Sequence, residues 1–528
     1  MLTRAVVAAT VLVAAAVMAG ALLWSPWWWV LALPAVLLSG LAVHDLFQRR
    51  HSVLRNYPVV GHLRFLLERM RPELQQYFIE RNYDGRPFDR DTRSVIYERA
   101  KGVHGEQAFG TEREVGAVGY EWVLHSAAPV EPPKDPPRVR VGGPDCTRPY
   151  EMALLNVSAM SFGALSANAL RALNAGAARG HFAHDTGEGG LTRYHLENGG
   201  DLIWEIGSGY FGARTKDGAF DPAMFRDKAA HDQVKCVSLK LSQGAKPGIG
   251  GVLPAAKVTK EIADARGVPQ GQKCVSPAAH RVFGSPRELV GFLARMRELA
   301  DGKPVGVKLC VGYRHELLAI CKAMLAEQTT PDFIVVDGSE GGTGAAPLEY
   351  EDHVGTPLTD GLIMTHNALV GTGLRDRIKL GASGKVATGT DIVKRLAQGA
   401  DYTNSARAMM MAIGCIQAQK CHTNKCPVGV ATQDPRRARA LDVADKTERV
   451  LRYQQATVAQ AQRMIASLGL SGPQDLNPAM LMRRIDHVRT DSYAQLYDWL
   501  APKQLLHEPP EDWAADWAAA SADTFLRS

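Results

Sequence analysis

Three of the eight cysteines fall in one short stretch, Cys415-Ile-Gln-Ala-Gln-Lys-Cys421-His-Thr-Asn-Lys-Cys426-Pro-Val-Gly-Val-Ala-Thr-Gln433. The other five are scattered singly. Thiols grouped beside a Pro and a Gly suit a loop that holds a soft metal. A disulfide framework fits less well, because three is an odd number and the chain otherwise reads as intracellular. Three buried or free thiols are the plainest alternative. Zinc on Cys415, Cys421, Cys426 and His422 is another, although the usual Cys-x2-Cys pair is missing. Iron–sulfur fits best, since thiolates are its usual ligands, and three cysteines suit a cluster with only three iron positions held.

Further candidate chemistry lies upstream, directly behind apolar runs. Glu188 sits in Thr-Gly-Glu-Gly-Gly. A carboxyl buried there would have a raised pKa and could donate a proton near neutrality; a structural carboxylate is the alternative, and His184 and Asp185 could do either task. Lys308 in Val305 to Cys310 and Lys240 in Cys236 to Leu241 are cations inside apolar segments, where a lysine is rarely idle. Gln243 and Lys246 supply the neutral donor and the cation that a carboxylate substrate needs. Gly384 and Lys385 follow a strand, and Thr388-Gly389-Thr390-Asp391 opens a helix, so backbone N–H groups there are placed for a phosphate. Ser405 and Arg407, after the next strand, add a charge-assisted contact.

Five of these segments carry a family resemblance, in order along the chain. They are Ser161-Phe-Gly163-Ala-Leu-Ser166, Thr186-Gly-Glu188-Gly-Gly190, Gln243-Gly-Ala-Lys246-Pro-Gly248, Gly341-Gly342-Thr-Gly344-Ala345 and the cysteine loop. Together they resemble the FMN and iron–sulfur synthase domain of glutamate synthase, over roughly residues 150 to 433. The resemblance implies FMN against Ser161 and Gly163, its phosphate near Gly384, Lys385, Gly389, Ser405 and Arg407, and Lys240 or Lys308 near its ring. Gly341, Gly342 and Gly344 would wrap a ligand edge or the cysteine loop. It implies a [3Fe-4S] cluster on Cys415, Cys421 and Cys426, and 2-oxoglutarate or a related amino acid held by Gln243 and Lys246, with Glu188 close by. Two departures stand out. The family carries an acidic residue where Ile249 lies, and Ser276-Pro-Ala-Ala-His280 replaces a stretch with more prolines and a His pair.

The elements that must hold these residues follow from periodicity. From residue 150 an apolar strand, a polar or Gly-rich loop and a helical stretch recur, at Met152 to Val157, Cys236 to Leu241, Val305 to Cys310, Phe333 to Val336 and Ile378 to Leu380. Alternating β and α with near-continuous apolar strands indicates a parallel sheet. The expected fold is α/β, a (β/α)8 barrel binding FMN, with active residues at the strand C-termini. Expected domains are a transmembrane hairpin (1–48), an accessory region (49–149), the barrel with its iron–sulfur loop (150–433) and a C-terminal helical extension and tail (434–528). Within these, Pro72 to Tyr83 reads as a short amphipathic helix, Asp442 to Leu468 as a long helix and residues 508–528 as a loosely held tail.

The N-terminus sets the expected location. Residues 5 to 23 carry no charge and reach about 28 Å as a helix, close to a bilayer core. Trp27 to Val43 is a second uncharged run that opens on three tryptophans. A cleaved signal is the alternative for the first run, but the second run and the lack of a small-residue cleavage pattern oppose it. Arg4 precedes the pair and Arg49, Arg50 and Arg55 follow it, which places both ends on the cytoplasmic side of an inner membrane. A net charge of +6, without a basic block interleaved with aromatics, gives no sign of nucleic-acid binding.

The first cysteine is Cys146, behind the apolar run, so no N-terminal amidotransferase nucleophile is expected. No Gly-x-Gly-x-x-Gly follows a strand, so no built-in NAD(P)H domain is expected either. Ammonia and electrons would come from outside, the latter through an external donor or acceptor protein or a membrane carrier. The expected activity is reductive amination of 2-oxoglutarate with ammonia to glutamate. The alternatives are a dehydrogenase of an amino acid or N-substituted glutamate that passes electrons to a membrane carrier, and a non-catalytic redox sensor.

Overall fold

The computed structural model describes residues 2–103 and 105–527. It divides into two compact units, Met1–Arg90 and Asp91–Ser528.

The first unit opens with helices α1 (Leu2–Leu23) and α2 (Trp29–Phe47). Ser25 caps the 3-10 turn Pro26–Trp28 between them. The buried positions are small or β-branched, Val7, Ala14 and Ala21 on α1 and Ala32, Ser39 and Ala42 on α2, except Asp45 near the end of α2. Small side chains let helix backbones approach closely, and Ser39 Oγ donates to Thr10 O at 2.8 Å. Most other apolar side chains, such as Leu12, Leu22 and Leu37, are exposed. Both helices are long and apolar enough to cross a membrane. The amphipathic helix expected from Pro72 instead starts earlier, as α3 (Gly61–Leu74), and ends in a π-turn over Gln75–Ile79. Pro72 falls in its last turn, so the helix is already established when the proline arrives.

The second unit is built on eight parallel strands closed into a barrel: β1 (Leu155–Val157), β2 (His184–Asp185), β3 (Leu202–Ile206), β4 (Val234–Lys240), β5 (Val305–Leu309), β6 (Phe333–Asp337), β7 (Lys379–Ser383) and β8 (Tyr402–Ser405). Closure pairs β8 with β1, Thr403 opposite Leu155 and Ser405 opposite Val157. Every residue of β3, β5 and β6 is buried, as expected for strands with a core inside and helices outside. The strand expected over Met152 to Val157 breaks at Leu154. Tyr150–Ala153 turns away to pair antiparallel with Arg138–Val141.

That hairpin closes the N-terminal mouth of the barrel. Its Val141 and Met152 pack with Ala183, Ile203, Cys236, Phe333, Val335 and Tyr402 in one buried cluster. Side chains alternate along a strand. Asp185, Glu205, Ser238, Lys240, Asp337 and Asn404 therefore share this inner face, nearer the strand C-termini. The interior runs from apolar at the bottom to charged at the top.

Outside, α4 (Ala167–Gly180) packs on the C-terminal helix α7 (Val443–Ser467), which Asp442 caps. Of the tail expected over residues 508–528, the described part, 508–527, is not loose. Helix α8 (Glu511–Ala519) docks on α5 (Arg314–Glu327), where Arg314 Nε meets Asp516 Oδ2 at 2.7 Å and Lys322 Nζ donates to Trp517 O at 2.6 Å. Trp513 is buried there under the Arg314 guanidinium. The alanine-rich composition concealed an amphipathic helix with two aromatic anchors.

Candidate active site

Two buried ion pairs dominate the C-terminal mouth of the barrel. Lys308 on β5 reaches across to Glu205 on β3 at 3.0 Å, with both side chains almost fully buried. Burial alone would lower the Lys308 ammonium, but Glu205, with Asp337 and Asp185 behind it, outweighs burial and holds it above its ordinary value. Lys240, the last residue of β4, pairs with Glu188 Oε1 at 2.9 Å and contacts Gln243 Oε1 at 3.4 Å.

Glu188 is therefore not the raised carboxyl that its sequence context suggested. Burial does push it up, but Lys240, Arg266 and Lys246 together bring it down to about 2. It is a carboxylate at neutral pH, also bonded by Ser276 Oγ at 3.3 Å. The raised acid is Asp185, three residues earlier, where burial and the Glu205 charge act in the same direction. A Cβ on Gly251 would overlap Glu188 Oε1, so this carboxylate is held by backbone approaching too closely for any side chain.

The Gln243–Lys246 loop is tied to the neighbouring strands. Gly244 N donates to Asp337 Oδ2 at 2.9 Å, and Lys246 Nζ donates to Ala345 O at 3.0 Å. The second bond joins this loop to the Gly341–Gly344 loop behind β6. Burial and the Lys240 charge, opposed by Glu188, leave Lys246 at about 8.

The other expected flavin contacts divide into two groups. Ser161 lies behind β1 and accepts from Arg266 Nη2 at 3.2 Å, while Gly163 has φ +106° and its carbonyl accepts from Gln433 Nε2 at 3.3 Å. Arg407 Nη2 donates to Glu340 O at 2.7 Å and packs against Gly342, with Gly341 at the start of the same turn; Gly344 stands in open space. Gly384 and Lys385 form the turn behind β7, and Ser405 Oγ donates to Val386 O in that turn at 2.7 Å. Gly389 has a different employment. It opens α6 (Gly389–Ala397), and a Cβ there would meet Ala461 N of α7 at 2.8 Å. The N–H groups of Ala387 and Thr388 already donate to Asp391 Oδ2, at 3.0 and 2.8 Å.

The residues fit a flavin. The inner face offers Lys308 and Lys240 as cations, and two buried polar atoms, Ser238 Oγ and Asn404 Oδ1, have no partner among the described residues. A ring whose edge carries both donors and acceptors would satisfy such atoms.

Cys415, Cys421 and Cys426 line one small cavity of about 10 Å³. Their thiols are unbridged. Burial pushes Cys415 up to about 12 and raises Cys421. Among the described residues no three His, Cys, Asp or Glu side chains converge as ligands of a single ion. The three thiols line the same small cavity without converging on one point.

Some residues of the site lay outside the motifs. Glu205 had a signal, as the lone acid in Leu-Ile-Trp-Glu-Ile. Lys257 and Arg266 had none. Lys257 Nζ donates to Ala164 O at 2.9 Å and to Cys421 O at 3.2 Å, so one buried ammonium joins the β1 loop to the cysteine loop.

The conserved region in glutamate synthase matches residues 147–471. The chain is 37% identical over 488 residues to the glutamate synthase large subunit-like protein YerD of Bacillus subtilis (strain 168), covering 84% of this chain and 92% of that one. It is 34% identical over 320 residues to the archaeal glutamate synthase [NADPH] of Archaeoglobus fulgidus, covering 60% of this chain and 59% of that one. Against the glutamate synthase [NADPH] large chain of B. subtilis the identity is 36% over 287 residues, 52% of this chain and 18% of that one. The chain thus spans nearly all of one relative and less than two thirds of the others. A match that runs through every barrel strand, the charged mouth and the cysteine loop shows that this chain belongs to the glutamate synthase family.

Proposed function

We propose that the protein is a membrane-anchored oxidoreductase of glutamate synthase type, using FMN and a [3Fe-4S] cluster to convert 2-oxoglutarate and ammonia to glutamate. The observation that carries this reading is the convergence of Lys240, Gln243, Lys246 and Glu188 above the buried Lys308–Glu205 pair. FMN would supply hydride chemistry at this mouth when bound, held by Ser161, Gly163, Lys308 and the turns at Gly384–Lys385 and Ser405–Arg407. The net reaction takes 2-oxoglutarate, ammonium, two electrons and two protons to glutamate and water.

The chain's own residues have distinct tasks. Lys246 and Gln243 bind and orient the acid, and a cation in a dry site is worth more than one in water. Lys308 stabilises negative charge on the inner face. Asp185, held neutral by burial, is the local source of a proton. Cys415, Cys421 and Cys426 are the ligands of the cluster, and residues 5–43 are the anchor that keeps the body on the cytoplasmic side.

Anaerobic reduction with dithionite, removal of the excess and addition of 2-oxoglutarate with ammonium tests the reading. Flavin reoxidation with glutamate formed is expected. Ile249, in place of an acidic residue, favours one second reading, oxidation of an N-substituted glutamate. No reoxidation by 2-oxoglutarate, together with bleaching of oxidised flavin by such a compound, would replace the first reading with the second.

Lys246→Ala is expected to weaken the acid about 10- to 100-fold, as for loss of one charge-assisted contact, with FMN content unchanged. Loss of FMN would move Lys246 to the cofactor site. In the wild type Lys246 is cationic below about 8. Affinity for a dicarboxylate should therefore fall as pH rises through that value, and Lys246→Ala should lose this limb of the profile.

A further inference from the structure

We propose that the segment Arg49–Ile79 is a membrane-surface element whose helix α3 lies in the headgroup layer and binds anionic lipid. The proposal rests on the anchoring assigned to residues 5–43 and extends it.

Helix α3 has one apolar stripe. Leu63, Leu66, Leu67 and Met70 fall at i, i+3, i+4 and i+7, on one side of the helix. They are 55%, 50%, 52% and 46% exposed, so no described residue of this unit covers them. Val60 before the helix and Tyr77, Phe78 and Ile79 after it extend the exposed apolar surface at both ends. A water-facing helix has no use for such a stripe.

The charge around the stripe is of one sign. Arg49, Arg50, Arg55, Arg64, Arg69 and Arg71 are all exposed, and Glu68 is the single acid between residues 49 and 71. Its Oε1 is taken by Arg64 at 2.9 Å. A cluster of arginines beside a membrane span attracts anionic headgroups.

The stripe is also held next to the hairpin. Asp45, two residues before the end of α2, is fully buried and accepts from Val59 N at 2.9 Å and from His62 Nε2 at 2.9 Å. His62 is the second residue of α3, so this link fixes the helix start against the end of the span. Leu54 fills the inner side of the corner, where a Cβ on Gly61 would meet its Cδ2 at 2.9 Å. An amphipathic helix with a cationic flank, fixed to the end of a membrane-length helix, meets a lipid surface before any other partner.

Full-length, flavin-loaded protein in vesicles tests this. Trypsin cleavage at Arg64 and Arg69 is followed in phosphatidylcholine alone and with about 30% phosphatidylglycerol, cleavage at the exposed Lys216 serving as internal reference. Anionic lipid is expected to slow Arg64 and Arg69 about tenfold and leave Lys216 unchanged, and to slow neither arginine in Leu63→Glu/Leu67→Glu/Met70→Glu. Equal rates in both compositions would overturn the proposal. So would slow cleavage in both that the Glu variant abolishes, which would place protein on the stripe, either the barrel or a second copy. Alkaline carbonate extraction reads the hairpin separately. Release of the chain would overturn anchoring by residues 5–43, while protection by anionic lipid in the released protein would still support α3.

Discussion

Lys308→Met is expected to destabilise the protein by about 3–5 kcal/mol and to abolish flavin turnover, whereas Lys308→Met/Glu205→Gln should recover most of the stability and none of the turnover. The single variant leaves Glu205 buried beside Asp185 and Asp337 with no cation at contact distance. A buried carboxylate without its partner is costly, and the Asp337 carboxylate lies in the same mouth. Replacing Glu205 by its neutral isostere removes that cost. It does not restore a positive charge to the inner face. A reduced flavin carries negative charge, and loss of a preorganised group that meets it costs about 10²–10³ in rate. Urea unfolding gives the first quantity and anaerobic flavin reduction the second. Recovery of both in the double variant would show that Lys308 only balances Glu205. Recovery of neither would mean that the pair also sets the barrel's packing.

Cys421→Ser is expected to remove the cluster's electron paramagnetic resonance signal entirely, with the flavin spectrum retained. A serine hydroxyl is a poor substitute for a thiolate on iron, and three cysteines around one cavity leave no spare ligand. Cys421 is the most informative of the three because its carbonyl already accepts from Lys257. The backbone is thus tied in place whatever the side chain, and loss of the signal would report ligation and not a displaced loop. Full retention of the signal would refute the ligand set. Loss of both signals would show that the β1 loop, joined through Lys257 to Ala164, collapses with the cysteine loop.

Much of the architecture was legible in order along the chain. The strand–loop–helix alternation from residue 150 indicated a barrel, and eight parallel strands close one. Asp442 to Leu468 read as a long helix, which runs Val443–Ser467. Lys240 and Lys308 stood out as cations in apolar strands, and both point into the barrel mouth. These features depend on periodicity and on residues a few positions apart, which a linear reading preserves.

What escaped was pairing across the barrel. Nothing in Thr-Gly-Glu-Gly-Gly says that Lys240 will arrive beside Glu188 and hold it ionised. The same closure brings Glu205 under Lys308, 103 residues away, and leaves Asp185 as the raised acid. Lys257 and Arg266 carried no motif, yet they join loops that the chain separates widely. The docked C-terminal helix was hidden too, since its partner groups Arg314 and Lys322 lie some 200 residues earlier.

The sequence by itself therefore determined the fold class, the charged residues at the strand ends, the grouping of three thiols in one loop and the two apolar helices, because each is a local pattern of spacing and polarity. Only the tertiary structure decided which carboxyl is charged, which cation balances it and which loops are joined. Those outcomes depend on distances across a closed barrel, where removal from water makes a contact of about 3 Å outweigh every intrinsic preference of the residues involved.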